Sequence, residues 1–498
     1  MLSQISADVE SILSETQAAE DSVSNDIDQL LRSFLLEPVT PQAAMEFESV
    51  LQERLRELGR KIVQVAYNRL EAEQAKQMPK QMEYEGYTYS RKNDKTKNRG
   101  GVGTLFGTIE LRRFSYEPLC EARHEQLPSL SPLERCLGIV AGKATPALAE
   151  RVGRLAADQT QGELLQTLDR DHQVQWSVQS LREVTAVVSE GIAEHLHATQ
   201  KVQVLAWLKE ADESKGRYKP TLSVGRDGIM LPMRDEKTYK EGAVATVSVY
   251  DRRGRRLGTL YLGQMPEAYQ TTLSEQLTHL LNEVLKEWDG SWPRLSYVTD
   301  AGYHPTQYFK EVLQKLDHPR HAGRKMEWSW TVDFYHACEY LATLAEVLFL
   351  DPQEAHAWQR RMRHRLKHEP NAVFRILHSA ARYHSNKFFT QKDEKAYRQA
   401  YQYLNKHKNH MNYPDKRRLR LPIGSGVTEA GCKTIFTQRF KESGMSWGKE
   451  GGQVILQIRL ATRSRIWESV YQKFLNNLPL PKATTKPQNE PDTDAKAA

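Results

Sequence analysis

The chain has 498 residues, of which 70 are Lys or Arg, 63 are Asp or Glu and 39% are apolar, enough for several domains with real cores. No window approaches 18 uninterrupted apolar residues, and the start Met1-Leu2-Ser3-Gln4 has neither a basic patch nor an apolar stretch. Composition therefore argues against a membrane span or a signal peptide and predicts a cytoplasmic protein. The four cysteines, Cys120, Cys136, Cys338 and Cys432, form no CxxC pair, which argues against a zinc ribbon or a disulfide framework.

Residues 1–84 read as a helical N-terminal region. Residues 1–78 hold 7 Lys+Arg against 14 Asp+Glu. Leu51, Leu55, Leu58, Ile62, Val65 and Leu70 recur at three- to five-residue steps, the stripe of a dimerising helix or of an ordinary packed one. Residues 85–135 form a small module. It has a basic, turn-rich stretch over 88–101 and a hairpin pattern from Thr104 to Tyr116 broken at Gly107. Residues 136–205 are helical again. Gln175 to Arg182 gives a polar N-cap and a helix with polar faces, a candidate helix-turn-helix for reading DNA or a plain helix pair.

Residues 206–335 change character. Short β runs at Thr221–Val224, Ala243–Tyr250 and Leu257–Leu262 are followed by an amphipathic helix from Glu267 to Trp288. A strand at Leu295–Thr299, a helix from Pro305 and a strand at Trp328–Val332 complete the region. Three meandering strands, then helix, strand, helix, strand, is the order of an RNase H-like domain with a mixed five-stranded sheet. Residues 336–420 read as an all-helical insertion. Residues 351–420 hold 17 Lys+Arg, 6 Asp+Glu and seven histidines, which points to a polyanion or to a solvated helical surface. Residues 421–475 supply the last helices of the core. The Pro-, Lys- and Thr-rich stretch 476–498 reads as a disordered tail.

Carboxylates stand out at element ends. Asp227 closes the first strand and Asp300 the fourth, and in this strand order the two strands are neighbours. Glu429 follows Leu421-Pro422-Ile423-Gly424-Ser425-Gly426 and falls on the helical side that also carries Cys432, Lys433, Phe436 and Phe440, an inward face on which a carboxylate needs a partner. Alone, an Asp before Gly is a turn residue. Three carboxylates around one point repel unless cations hold them, and Mg²⁺ suits oxygen ligands next to a substrate phosphate. Two such ions, Mg²⁺ or Mn²⁺, support phosphoryl transfer. Asp333, at the end of the fifth strand, is a fourth candidate, whereas Asp235 and Glu236 lie in a hairpin.

The segments Gly225-Arg226-Asp227-Gly228, Thr299-Asp300-Ala301-Gly302, Val332 to Leu341 and the block from Gly424 to Trp447 resemble DDE transposases of bacterial insertion sequences, most closely the ISKra-type family, related to Mutator-like enzymes. The resemblance spans residues 85–472 and is most specific in the last block. It implies an RNase H-like core interrupted by a helical insertion, with Asp227, Asp300 and Glu429 as catalytic, metal-binding triad. Asp333 and His336 resemble an accessory Asp-x-x-His signature near the site; a helix N-terminal core histidine is the alternative for His336. Members often carry a cysteine pair after the N-terminal hairpin. Only Cys120 stands there in this chain, so zinc is not carried over.

The resemblance implies cleavage of DNA at the terminal inverted repeats of the element and joining of the freed 3′-hydroxyl to target DNA. This is a polynucleotidyl transfer that rests on positioning and charge neutralisation. It also implies a homo-oligomer during synapsis and a bacterial, nucleoid-associated enzyme. Lys433 is placed to touch the scissile phosphate or to pair with an acid of the site. Arg439, Lys441 and Lys449 are candidates for tracking the backbone. Trp447 would stack on a base or pack in the core. Arg417, Arg418 and Arg420 would clamp DNA beside Glu429. An RNase H-like endonuclease that cuts without joining, and a transposase-derived DNA-binding protein, are the rival expectations.

Overall fold

The computed structural model describes residues 9–484 except 37, 39, 72–77, 93, 99, 120–126, 236 and 386–388. Cys120, Glu236 and the tail beyond residue 484 therefore lie outside the described residues. The chain divides into two compact units, Met1–Gly191 with Tyr471–Ala498, and Ile192–Val470. No helix among the described residues is long and apolar enough to cross a membrane.

The first unit opens with α1 (Val9–Leu36) and α2 (Pro41–Arg69), two helices that pack on each other. Thr40 caps α2 through Ala43 N, and Pro41 stands where a helix tolerates proline. None of α2 is buried, so its leucine stripe is not core within this unit. Short strands follow: β1 (Gln81–Tyr84), β2 (Tyr87–Arg91), β3 (Thr96–Lys97), β4 (Val102–Thr104), β5 (Gly107–Ile109), β6 (Arg112–Arg113) and β7 (Tyr116–Pro118). The expected hairpin is β4–β5, centred earlier than the sequence pattern suggests, with Gly107 opening its second strand. Helices α3 (Pro132–Cys136), α4 (Pro146–Ala156), α5 (Gln161–His172) and the long α6 (Val178–Glu213) come next. Thr160 and Glu163 form a reciprocal capping box on α5. The expected boundary at 205/206 falls inside α6, whose repeat continues to Glu213 without a breaker. The tail was expected to be disordered from residue 476. Its described part instead contains β13 (Lys482–Ala483), which pairs with β1, because an edge strand needs only backbone partners.

The second unit is built on a mixed sheet: β8 (Thr221–Met233), β9 (Thr238–Tyr250), β10 (Arg256–Gln264), β11 (Arg294–Thr299) and β12 (Trp328–Val332). The order is β10-β9-β8-β11-β12; the first three are antiparallel, and β11 runs parallel to β8 and to β12. The first three strands are longer than their apolar runs. Asp227 therefore sits inside β8, opposite Val244, and does not close it.

Thr221 to Arg226 is buried without alternation, as in a strand covered on both faces. Alternation instead decides which layer each side chain meets. Arg226 reaches Ser274 and Gln270 at α7 (Thr271–Glu287), while Gly225 abuts Thr428 on the other face. Between β11 and β12 lies α8 (Tyr303–Glu311).

After β12 come α9 (Phe334–Leu348), α10 (Pro352–His368), α11 (Ala372–His384), α12 (Gln391–His407) and α13 (Tyr413–Arg418). Their apolar sides, among them Trp358, Ile376 and Leu404, share one core cluster with the sheet, so this helical segment is continuous with the core. Next is α14 (Gly426–Cys432), which passes through a π-turn (Lys433–Thr437) into α15 (Gln438–Phe440); α16 (Lys449–Arg463) and α17 (Trp467–Asn476) end the helices.

Helix α14 approaches the sheet tightly at Gly225, where an added Cβ would stand 1.9 Å from Thr428 Oγ1. Gly225→Ala is expected to lower folding stability by about 1–3 kcal/mol in urea unfolding. Adding Thr428→Ala, which removes the clashing hydroxyl, is expected to recover part of that loss.

Candidate active site

The register of β8 and β11 places two carboxylates side by side. Val298 pairs with Gly225 as the last pair of the two strands, so Asp227 and Asp300 each follow that pair by two residues at the same end of neighbouring strands, close enough for the charge of Asp300 to act on Asp227. Asp300 lies just past β11 and accepts from Gly302 N at 2.9 Å, in a turn where Ala301 has φ of 64°. From the helical segment, Tyr403 of α12 donates its hydroxyl to Asp300 O at 2.6 Å, and its ring stacks on Tyr340 at 3.8 Å.

Glu429 arrives on α14. The helix is fixed to the sheet by Thr428, buried, whose hydroxyl is 2.8 Å from that of Thr246 on β9. The expected inward face divides in two. Cys432, Phe436 and Phe440 are buried, whereas Glu429 and Lys433 are exposed. The π-turn at Lys433–Thr437 changes the helical period, and a plain 100° wheel does not anticipate that.

Ser425 is the pivot of this corner. Its hydroxyl is 2.6 Å from Glu429 Oε1 and 2.7 Å from Asp333 Oδ2, one proton shared between two carboxylates. Its backbone N–H also donates to Asp333 Oδ2. Asp333 is fully buried and caps α9 by accepting from His336 N at 2.6 Å. With both oxygens engaged by the chain, Asp333 holds the Glu429 loop in place and is a positioning residue. His336 pairs through Nδ1 with Glu339 at 2.9 Å and meets Tyr403 edge-on.

Burial pushes the Asp227 carboxyl above its ordinary range. The Gly228 N–H, donating at 2.8 Å, pulls the other way; Asp300 adds like-charge repulsion, the Cys432 thiol donates a stabilising bond, and Glu429 adds further repulsion. Burial, and then the same carboxylates, push the Cys432 thiol far up, so it remains a protonated donor. The charges of Asp300 and Glu429 thus both reach Asp227. Their oxygens are more widely spread than a tight single-ion cluster. Among the described residues, three ligand atoms within 4.8 Å of one another occur at His197, His279 and Glu283. There, His197 Nε2 is 2.8 Å from Glu283, the two imidazoles stack at 4.3 Å, and Lys201 approaches the same carboxylate at 3.7 Å.

The remaining candidates separate. Lys433 and Lys441 are exposed and reachable by a phosphate, as is Lys449. Arg439 is not: it is 2% exposed, its guanidinium 5.0 Å from the Trp447 ring. Trp447 is half-buried, 4.5 Å from Phe440, and its indole N–H is taken by Phe440 O at 3.1 Å; its backbone pairs in parallel with the end of β8 at Met233. Its packing fits the core alternative. Arg417, Arg418 and Arg420 are exposed but not beside Glu429. Leu419 O accepts from Arg294, the first residue of β11, so they lie at the sheet end opposite Asp300. Sequence reasoning missed Ser425, Cys432 and Tyr403. The Ser425–Glu429 spacing of four was a usable signal, whereas Tyr403, 103 residues from Asp300, carried none.

No protein-family model matches the chain, and no curated protein matches it.

The raised Asp227 carboxyl has a consequence for stability. Its contribution is fully present below the unfolded value near 3.8 and is lost as pH rises through the elevated folded value. In chelator at neutral pH, Asp227→Asn is expected to melt above the unsubstituted protein. Thermal melts should show that gap shrinking toward acid and on adding Mg²⁺.

Proposed function

We propose that the protein is a DDE-type DNA transposase of the ISKra type that cuts DNA at insertion-sequence ends and transfers the freed strand to target DNA. The observation that carries this reading is the convergence of Asp227, Asp300 and Glu429, two of them set side by side by strand register and the third delivered by α14. The sheet order and directions support an RNase H-like core, and α9–α13 occupy the place of an insertion before the glutamate.

Three hard oxygen donors, one of them raised by burial and by its like-charged neighbours, fit Mg²⁺ or Mn²⁺. In this reading the site holds two such ions, about 4 Å apart. When bound, such ions supply charge neutralisation and an activated nucleophile for phosphoryl transfer. The chain does the rest. Strand register fixes Asp227 against Asp300, Ser425 and Asp333 orient Glu429, and Cys432 donates to Asp227. Lys433, exposed one turn beyond Glu429, is placed to meet a phosphate. The partners in this reading are the element ends, target DNA and a second copy of the chain at synapsis.

Labelled element ends, target plasmid and Mg²⁺ should give both cut and joined products. Cutting with no joined product would favour an endonuclease, and binding without cutting a transposase-derived DNA-binding protein. Asp227→Asn, Asp300→Asn and Glu429→Gln should each reduce cleavage by more than the roughly 10–100-fold typical of outer-shell changes. Ser425→Ala and Asp333→Asn should fall within that range and raise the Mg²⁺ concentration needed for half-maximal rate, a shift that simple loss of folded protein would not produce.

A further inference from the structure

At the other end of the sheet lies an open cleft of about 590 Å³. It is lined by Arg217, Lys367, His368, Arg417, Arg418 and Arg420, with Tyr218 on one wall and no carboxylate among its lining residues. The segment before β8, the end of α10 and the end of α13 build it. Cations at helix C-termini are favourable in themselves, which is the ordinary reason to find them there. The count exceeds that need. The two helix ends offset about one charge between them. Asp415 offsets one more through Arg418 at 3.1 Å. Five fixed cations therefore leave an excess of about three. Arg417 Nη1 is bonded to His368 Nδ1 at 3.0 Å, and Arg217, Lys367 and Arg420 have no carboxylate partner among the described residues. Burial first, and then the neighbouring Arg417, His364 and Lys367, hold His368 below its ordinary value.

The cations stand on a fixed frame. The Tyr218 hydroxyl donates to Arg418 O at 2.7 Å. Arg294 lies 5.2 Å from the Tyr218 ring and donates to Lys219 O at 3.1 Å and to Leu419 O. Arg420 adopts φ of 57°, which turns the chain sharply after α13. Arg294, which holds the cleft's frame, pairs with Thr221 at one end of β11, and Asp300 follows its other end, so the frame and the carboxylates are separated by the length of that strand, roughly 20 Å for six residue steps.

We propose that this cleft grips the phosphate backbone of duplex DNA, as an anchoring site separate from the carboxylates. A duplex carries one charge per roughly 1.7 Å of axis, and planar guanidinium groups match phosphate oxygens in pairs. The choice of DNA as the polyanion rests on the function proposed above; the phosphate-binding character rests on the cleft alone.

The test is fluorescence anisotropy of a labelled duplex of arbitrary sequence in chelator, where no cutting occurs, across a salt series. The triple variant Arg217→Gln, Arg417→Gln, Arg420→Gln should weaken binding and reduce the slope of log affinity against log salt by two to three, at about 0.9 per lost contact. Arg417→Lys alone, which keeps the charge but not the planar fork, should leave the salt slope unchanged. Unchanged affinity and slope in a triple variant that melts normally would overturn the proposal. So would arginine-dependent binding to phosphatidylserine vesicles without binding to DNA. If the triple variant loses binding but no metal-dependent cutting is ever seen, the cleft stands and the catalytic reading falls. If cutting is seen and the triple variant binds normally, only the cleft falls.

Discussion

The contact of α14 with β8 and β9 is what the candidate site depends on. Like charges do not assemble unaided, so a carboxylate from a late helix must be held against a sheet that already presents two. The hold has three parts. Gly225 lets Thr428 come within a distance no side chain would permit, Thr428 and Thr246 exchange a buried hydrogen bond, and Ser425 ties the helix entry to Asp333. A buried polar link of this kind costs little while satisfied and much when one partner is lost, which fixes position more than it adds stability.

The helical segment takes part in that positioning. It shares its core with the sheet, and it reaches the site through Tyr403, whose hydroxyl bonds the backbone of Asp300. The same segment closes the basic cleft at the far end, through Lys367, His368 and the arginines at the end of α13 and just beyond it. One set of helices therefore touches an acidic end that would attract cations and a basic end that would attract phosphates. A polyanion spanning both is attracted at the cleft and tolerated at the carboxylates only if cations are present there.

The strands were legible because each apolar run is bounded by turn residues, and β12 matches its predicted limits at Trp328 and Val332. Asp227 and Asp300 were legible as a pair because strand order made their strands neighbours, although β8 runs on past Asp227. Glu429 was found for a partly mistaken reason. A regular helical wheel put it on the buried side, while the buried side of this segment runs through Ser425, Thr428 and Cys432 and leaves Glu429 exposed. Arg439 and Trp447 looked like DNA contacts by residue type, yet they pack on each other and Trp447 packs on Phe440, since charge and aromaticity alone do not say which way a side chain points. Arg417, Arg418 and Arg420 are near Glu429 in sequence and at the far end of the sheet in space, because the chain from 421 to 425 runs along the sheet between them.

Whether the three carboxylates hold divalent ions together is most directly measured by anomalous diffraction from crystals soaked in Mn²⁺. Peaks about 2.1 Å from oxygens of Asp227, Asp300 and Glu429 are expected, one or two per chain. Ordered Mn²⁺ at His197, His279 and Glu283 with none at the three carboxylates, under conditions where DNA cleavage is tested, would contradict the assignment.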